Sequence, residues 1–213
     1  MDRHAALIVN PVATGVTPER VEAVRRVLAE AGPVETLETR ARGHAAEVAA
    51  DACQRYDEIF VYGGDGVFNE AVNGMLPSVP IGFIPGGATS VLPRALGLPR
   101  DPLACARRLA RSRDTRRISL GRVNGRRFTF CAGLGLDAEI VRLVDQRGRK
   151  NGKRPSDVAY VADMARIVGR RKGKIAPNIS VEGHGRCALL VAANCDPYTF
   201  AGPVPVHAAP LAQ

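Results

Sequence analysis

The stretch Val61-Tyr62-Gly63-Gly64-Asp65-Gly66-Val67-Phe68-Asn69-Glu70 decides the fold of this chain. An apolar run from Ile59 to Tyr62 leads into it, and the apolar residues that follow recur at helical spacing: Phe68, Ala71, Val72 and Met75. The pattern predicts a strand, a glycine turn and a helix. Such turns bind phosphate, because the N–H groups at a helix N-terminus lack intrahelical partners and glycine lets the backbone approach closely.

Asp65 changes what this turn is expected to bind. A carboxylate repels bare phosphate, but it is favourable there if a divalent cation lies between the two. The residues therefore predict a site for a nucleotide with Mg²⁺ at this turn. The alternative is a tight turn without a ligand.

Strands and helices alternate through the first half of the chain. The predicted strands are 5–9, 34–39, 59–62 and 79–84. One predicted helix starts at Pro18 after Thr17, and the others are 43–53, 67–75, 91–96 and 103–109. The apolar stripe predicted for 43–53 is Ala46, Ala49, Ala50 and Cys53. This alternation predicts an α/β domain with a mainly parallel sheet covered on both faces. Ligand sites in such sheets lie at the C-terminal ends of the strands.

Small and polar residues follow all four predicted strands. They are Asn10, Thr39, Gly63 to Asp65, and the segment Pro85-Gly86-Gly87-Ala88-Thr89-Ser90. Agreement among four separate loops favours one composite site more than any single loop does. Two residues keep simpler alternatives, since Asn10 with Pro11 could merely end a strand and Thr39 could be a capping hydroxyl.

The pattern changes after residue 114. Arg117 to Val123, the dipeptide Asn124-Gly125, and Arg126 to Phe130 predict a β-hairpin. Further along, 137–144 and 156–168 are predicted helices, and 179–181 is predicted to pair with 187–193. The prediction is therefore two domains, a nucleotide-binding α/β domain over 1–114 and an antiparallel β domain over 115–213.

The net charge of +9 is concentrated after residue 93. Residues 1–93 carry a charge of −5, whereas 94–127 carry +9 and 142–174 carry +8. An anionic membrane surface fits this distribution better than nucleic acid, because the 5% aromatic residues do not interleave with the basic runs. Solvated surface arginines are the alternative. The short first apolar run and the scattered cysteines predict a cytoplasmic protein with reduced thiols, peripheral at the inner membrane face.

Three segments together resemble the diacylglycerol kinase catalytic-domain family, the soluble bacterial lipid kinases and their sphingosine kinase relatives. They are Ile8-Val9-Asn10-Pro11, the stretch from Gly63 to Glu70, and Ile84-Pro85-Gly86-Gly87 continuing to Arg94-Ala95-Leu96-Gly97. A weaker likeness continues through 130–138 to Asn194, Pro197-Tyr198 and Gly202. The motif Gly-Gly-Asp-Gly alone is shared with NAD kinases, but Asn69-Glu70 and the later segment are more specific.

The resemblance implies an ATP-dependent kinase that phosphorylates a lipid hydroxyl, diacylglycerol-like or sphingoid. It implies a three-layer α/β domain, a β-sandwich lipid-binding domain, and ATP with Mg²⁺ as ligands. Carried over by position, Asp65 is the catalytic and metal-binding acid, and the nucleotide-binding residues are Asn10, Thr39, Gly63, Gly64, Asp65, Gly66, Val67, Phe68, Asn69, Gly86, Gly87 and Thr89.

The sequence departs from the family pattern in three places. Ala88 stands where the family usually has a hydroxyl, with Thr89 as the substitute, and Ser90 stands where it usually has Asn. Pro93 replaces an alanine inside a predicted helix, which is tolerated only in the first turn. Family members also continue, after the position of Gln213, into acidic motifs that carry the assigned base, so the resemblance implies a C-terminally truncated β-sandwich.

Three other functions stay open beside the lipid kinase. The chain could be an inactive nucleotide-binding remnant, an NAD kinase-type enzyme with a soluble substrate, or a basic nucleic-acid binder, and the last is disfavoured. An incomplete β-sandwich leaves open sheet edges, which predicts a homodimer.

Overall fold

A parallel sheet forms the centre of the N-terminal region. The computed structural model describes residues 3–112, 114–146, 165–171, 174–201 and 204–207. The sheet has the order β2-β1-β3-β4 and every pair is parallel. Its strands are β1 (Ala5–Val9), β2 (Val34–Glu38), β3 (Glu58–Gly63) and β4 (Ile81–Pro85). The predicted α/β class with a parallel sheet is confirmed.

Five helices accompany this sheet: α1 (Pro18–Ala29), α2 (His44–Arg55), α3 (Asp65–Gly74), α4 (Val91–Ala95) and α5 (Pro102–Arg111). Two of them begin at side-chain caps followed by proline. The Thr17 hydroxyl accepts from the Arg20 N–H at 3.3 Å, as predicted, and the Asp101 carboxylate accepts from the Ala104 N–H at 2.8 Å. Such caps satisfy N–H groups that have no intrahelical partner.

Two apolar clusters cover the two faces of the sheet. All of β1 is buried, with Ala6 and Ile8 in the cluster formed with α2 and α3. Leu7 and Val9 alternate into the cluster formed with α1 and α5. Alternation along a strand places successive side chains on opposite faces, so a continuous apolar run is required when both faces are covered.

Two helices differ from their predicted forms. The buried stripe of α2 is Ala45, Ala49, Ala52 and Cys53, so the prediction of Ala46 and Ala50 is wrong, and Ala50 is exposed. A run of alanines fits helical spacing in more than one register, so hydropathy alone could not choose between them. In α3 the first helical residue is Asp65 rather than Val67, because Gly64 is the N-cap.

Two hairpins complete the first compact unit, which the described residues of 1–130 and 194–213 form. The first joins β5 (Gly121–Val123) to β6 (Arg126–Phe128) through Asn124 and Gly125, with φ values of 48° and 78°. The predicted Asn-Gly hairpin is confirmed. The second joins β11 (Thr199–Ala201) to β12 (Val204–Val206).

The second compact unit spans the described residues of 131–193. It contains β7 (Cys131–Gly135), α6 (Leu136–Gln146), β8 (Ile179–Val181), β9 (Gly185–Cys187) and β10 (Leu189–Ala193). The sheets are antiparallel, as predicted for this half of the chain.

One predicted pairing is wrong in part. Only 185–187 pairs with β8, whereas β10 pairs with β7, because β8 is three residues long and its tight hairpin is complete at Cys187. The predicted helix 156–168 lies mostly outside the described residues. The structure describes its last residues, and 165–170 are helical. The domain boundary near residue 114 stays a prediction.

Candidate functional site

The C-terminal strand ends are joined by backbone hydrogen bonds. The N–H of Asn10 donates to the carbonyl of Tyr62 at 3.1 Å, and the N–H of Thr39 donates to Val9 at 2.8 Å. The N–H of Gly86 donates to Gly63 at 2.7 Å. The structure therefore brings the four predicted loops to one edge of the sheet, where parallel strands place ligand sites.

Close backbone packing explains several of the glycines at this edge. A Cβ on Gly86 would lie 2.7 Å from Val16 Cγ2 and 3.1 Å from the Cα of Gly63. A Cβ on Gly87 would lie 2.7 Å from the Cα of Gly64. The turns after β3 and β4 thus touch each other directly, and a side chain at either position would separate them.

Gly66 is different, because a Cβ there would meet no atom within 4 Å. It is the second residue of α3 and is exposed. Packing within the described structure does not require glycine here. The open space lies at the first turn of α3, where N–H groups without intrahelical partners can meet a ligand.

Asp65 is held by the neighbouring turn. It is half-buried, and its Oδ1 accepts a hydrogen bond of 3.2 Å from the N–H of Leu92. Burial lowers the pKa of Arg94 below its ordinary value, repulsion from Arg100 lowers it further, and attraction to Asp65 opposes both. Asp65 and Arg94 therefore lie within electrostatic reach of each other.

The turn after β4 contains the unusual residues of the sequence. Ser90 has a left-handed backbone, with φ of 50°, is buried, and donates from its Oγ to the carbonyl of Gly87 at 3.3 Å. Pro93 is the third residue of α4 and so lies in its first turn, where proline is tolerated. Thr89 is half-buried and Ala88 is exposed.

Three predicted nucleotide residues have side chains engaged elsewhere. Val67 and Phe68 are buried in the cluster between sheet and helices, and Phe68 packs edge-to-face on Phe83 at 5.2 Å. The Oδ1 of Asn69 accepts from the N–H of Thr129 at 3.2 Å. The backbone N–H groups of Val67 and Phe68 donate to the carbonyl of Gly64, at 3.1 and 3.2 Å. The predicted nucleotide contacts stay predictions.

Sequence reasoning missed Gly15, which closes the loop after β1. Its N–H donates to the carbonyl of Gly86 at 2.8 Å, and its own carbonyl accepts from the Tyr62 hydroxyl at 3.2 Å and from Arg20 Nη1 at 3.0 Å. The available signal was a glycine a few residues after Asn10, inside a loop that ends a buried strand.

It also missed the amide clamp, by which we mean Asn69 and Asn73 on α3. Asn73 pairs with the backbone of Arg127, since its Nδ2 donates to that carbonyl at 3.0 Å and its Oδ1 accepts from that N–H at 2.9 Å. Arg127 Nη1 in turn donates to the carbonyls of Val72 and Met75, at 2.7 and 3.1 Å. Two asparagines four residues apart on a helix were the visible signal.

The described residues contain no cluster of three or more His, Cys, Asp or Glu side chains that could hold a metal ion. A metal held by Asp65 would therefore need further ligands from nucleotide phosphates and water. None of the helices in the described part of the chain combines the length and the apolar character needed to cross a bilayer.

Known proteins with similar sequences are lipid kinases. A diacylglycerol kinase of Bacillus subtilis (strain 168) is 34% identical over 144 residues, which are 65% of this chain and 48% of that protein. Sphingoid long-chain bases kinase 1 of Arabidopsis thaliana is 38% identical over 84 residues, covering 34% of this chain and 11% of that protein. The chain spans about half the length, or less, of the curated relatives it matches.

Solved structures support the same grouping. A diacylglycerol kinase from Bacillus anthracis str. Sterne superposes with a TM-score of 0.59 and 28% identity, over 67% of this chain and 56% of that one. A further crystal structure from that organism superposes with a TM-score of 0.70 and 25% identity, over 95% and 69%. Residues 4–123 match the family described as the diacylglycerol kinase catalytic domain. The resemblance read from the sequence is confirmed, and the chain belongs to the diacylglycerol kinase catalytic-domain family.

Proposed function

We propose that the chain is an ATP-dependent lipid kinase that phosphorylates a hydroxyl of a diacylglycerol-like or sphingoid lipid. The observation that carries this proposal is the first turn of α3. Asp65 begins that helix beside the open space at Gly66, at the edge of the sheet where the strands end. Relatives in the same family are named lipid kinases.

The geometry suits phosphoryl transfer, which depends mainly on positioning and charge neutralisation. The N–H of Gly66, in the first turn of α3, would hold a phosphate oxygen, and the Gly86-Gly87 turn would bound the site from the next strand. The hydrogen bond from the Leu92 N–H orients the Asp65 carboxylate. Arg94 adds a positive charge near that carboxylate.

Asp65 fits Mg²⁺ although it is one carboxylate. Proteins commonly bind Mg²⁺ through one or two carboxylates together with substrate phosphates and water, rather than through a complete protein cage. When bound, the ion would neutralise phosphate charge and so lower the barrier to transfer. The contribution of the chain is to fix the position of the acid at the helix start.

The direct test measures transfer of the ATP γ-phosphate to diacylglycerol and to a sphingoid base, with Asp65→Asn as the matched variant. The asparagine keeps an oxygen for the Leu92 N–H but loses the negative charge, so we expect a normally folded protein with transfer reduced on the order of 100-fold or more. Undiminished transfer by Asp65→Asn would refute the role given to this residue.

The same assay separates the other functions. A rise in melting temperature with ATP but no transfer would indicate nucleotide binding without catalysis. Phosphorylation of NAD in place of lipid would indicate a kinase with a soluble substrate.

We also propose that the first hairpin and the segment before it face an anionic membrane. The exposed cationic side chains there are Arg116, Arg117, Arg122 and Arg126, and the apolar Ile118 and Val123 are exposed among them. Basic and apolar side chains together favour the surface of an anionic bilayer. Sedimentation with phosphatidylglycerol vesicles, but not with phosphatidylcholine vesicles, is the expected result. Equal binding to both would argue against charge recognition.

A further inference from the structure

Phe200 lies directly on Arg94, although the two residues are far apart in sequence. The guanidinium carbon of Arg94 is 3.3 Å from the centre of the Phe200 ring, which is a cation–π contact. Arg94 belongs to α4, the helix whose Leu92 N–H holds the Asp65 carboxylate. The contact therefore joins the segment after residue 193 to the candidate site, within one compact unit.

Asn194 fixes the start of this segment. Its N–H donates to the carbonyl of Phe130 at 2.6 Å, and its Nδ2 donates to the carbonyls of Ser119 and Thr129, at 2.8 and 2.9 Å. Beyond it, Phe200 is the central residue of β11, which pairs with β12. The segment that carries Phe200 is thus anchored at Asn194 and continues into the β11–β12 hairpin.

Cys195 supplies a second indication that this segment lies near Asp65. The pKa of its thiol is raised to about 11, first by burial and then by the negative charges of Asp65 and Asp196. Asp65 and the Cys195 thiol therefore lie within electrostatic reach of each other.

We propose that Phe200 is a positioning residue for Arg94 in the phosphoryl-transfer site, an inference that rests on the proposed function. The ring covers one face of the planar Arg94 guanidinium, whereas the guanidinium N–H groups that recognise phosphate point outward in its plane. A flexible arginine held in one plane loses less entropy when it binds phosphate. Phe200 is accordingly part of the nucleotide site.

The test compares Phe200→Leu with Phe200→Tyr. Leucine keeps apolar bulk but has no ring face, whereas tyrosine keeps the ring. We expect Phe200→Leu to raise the KM for ATP roughly 3- to 30-fold, the range set by cation–π contacts, with a smaller change in the KM for lipid. Phe200→Tyr should stay within about twofold of the parent protein. The proposal would be overturned if Phe200→Leu had the same KM for ATP as the parent protein, or if both variants raised the KM for ATP equally.

A second measurement needs no nucleotide. Urea unfolding of the parent, Phe200→Leu, Arg94→Gln and the double variant forms a double-mutant cycle. We expect non-additive losses, because removing either partner removes the same contact. Additive losses would overturn the contact itself. If the parent protein bound no ATP, the proposed function would fail while this cycle still decided whether Phe200 holds Arg94.

Discussion

The turns after β3 and β4 look alike in sequence, but only the first is followed by a further glycine, Gly66, that packing does not require. Both run from a buried strand through two consecutive glycines to a helix. After β3 the chain enters a ten-residue helix from an extended Gly64. After β4 it enters a five-residue helix through the left-handed Ser90. Gly86 and Gly87 allow the two turns to touch, whereas Gly66 leaves space in front of α3. The comparison teaches that one motif can combine glycines needed for close packing with a glycine that leaves space for a ligand.

The largest expected effect comes from adding a side chain where the two turns touch. Gly86→Ala places a Cβ 2.7 Å from Val16, 2.9 Å from Tyr62 and 3.1 Å from the Cα of Gly63. We expect a loss of about 3 kcal/mol in the free energy of unfolding, because the backbone of Gly63 cannot move without disturbing β3. Urea denaturation measures it, and a loss below about 0.5 kcal/mol would contradict direct contact of the turns.

The next effect concerns how α3 is held, since its first turn carries Asp65. Asn73→Ala removes the hydrogen bonds to both backbone groups of Arg127 and to the carbonyl of Asn69. We expect a loss of about 2 kcal/mol, because these half-buried backbone groups lose their side-chain partner. Asn73→Asp keeps the acceptor but sets a carboxylate oxygen against the carbonyls of Asn69 and Arg127, so it should not restore the loss. A change no larger than that of an exposed surface alanine would show that the clamp does not anchor α3.

Gly66→Ala tests the open space at the first turn of α3. Alanine fits the helix better than glycine and meets nothing within 4 Å, so stability should be unchanged or rise by up to about 1 kcal/mol. The added methyl group should nevertheless reduce the stabilisation of the protein by ATP. Thermal melts with and without ATP separate the two quantities. Full retention of the ATP effect would remove the reason for assigning a ligand to this space.

The smallest expected effect is that of Ser90→Gly. Glycine relieves the left-handed conformation at φ of 50° but loses the hydrogen bond from Ser90 Oγ to Gly87 and costs unfolded-chain entropy. These contributions are similar in size, so the net change should stay within about 1 kcal/mol. Calorimetric melting temperatures measure it. A large stabilisation would mean that the turn after β4 stores more strain than its single unusual dihedral indicates.

Local patterns predicted the parts of the molecule that depend on nearby residues. The four parallel strands, the Thr17 cap, the Asn124-Gly125 hairpin and the grouping of the strand-end loops could all be read from short stretches. The register of α2 could not, because its alanines fit more than one helical face. The amide clamp and the contact of Phe200 with Arg94 join distant segments, and such pairings depend on tertiary packing that no local pattern encodes.

The pairing of Asn73 with Arg127 has a consequence for the free edge of the first hairpin. In β6, the N–H and carbonyl of Arg127 point away from β5, since Arg122 and Arg127 oppose each other between the hydrogen-bonded pairs of the hairpin. Such unpaired backbone groups are where a strand from another molecule adds during aggregation. Asn73 occupies both of them with a side-chain amide. A helix thereby blocks growth of the hairpin into a larger intermolecular sheet along that edge.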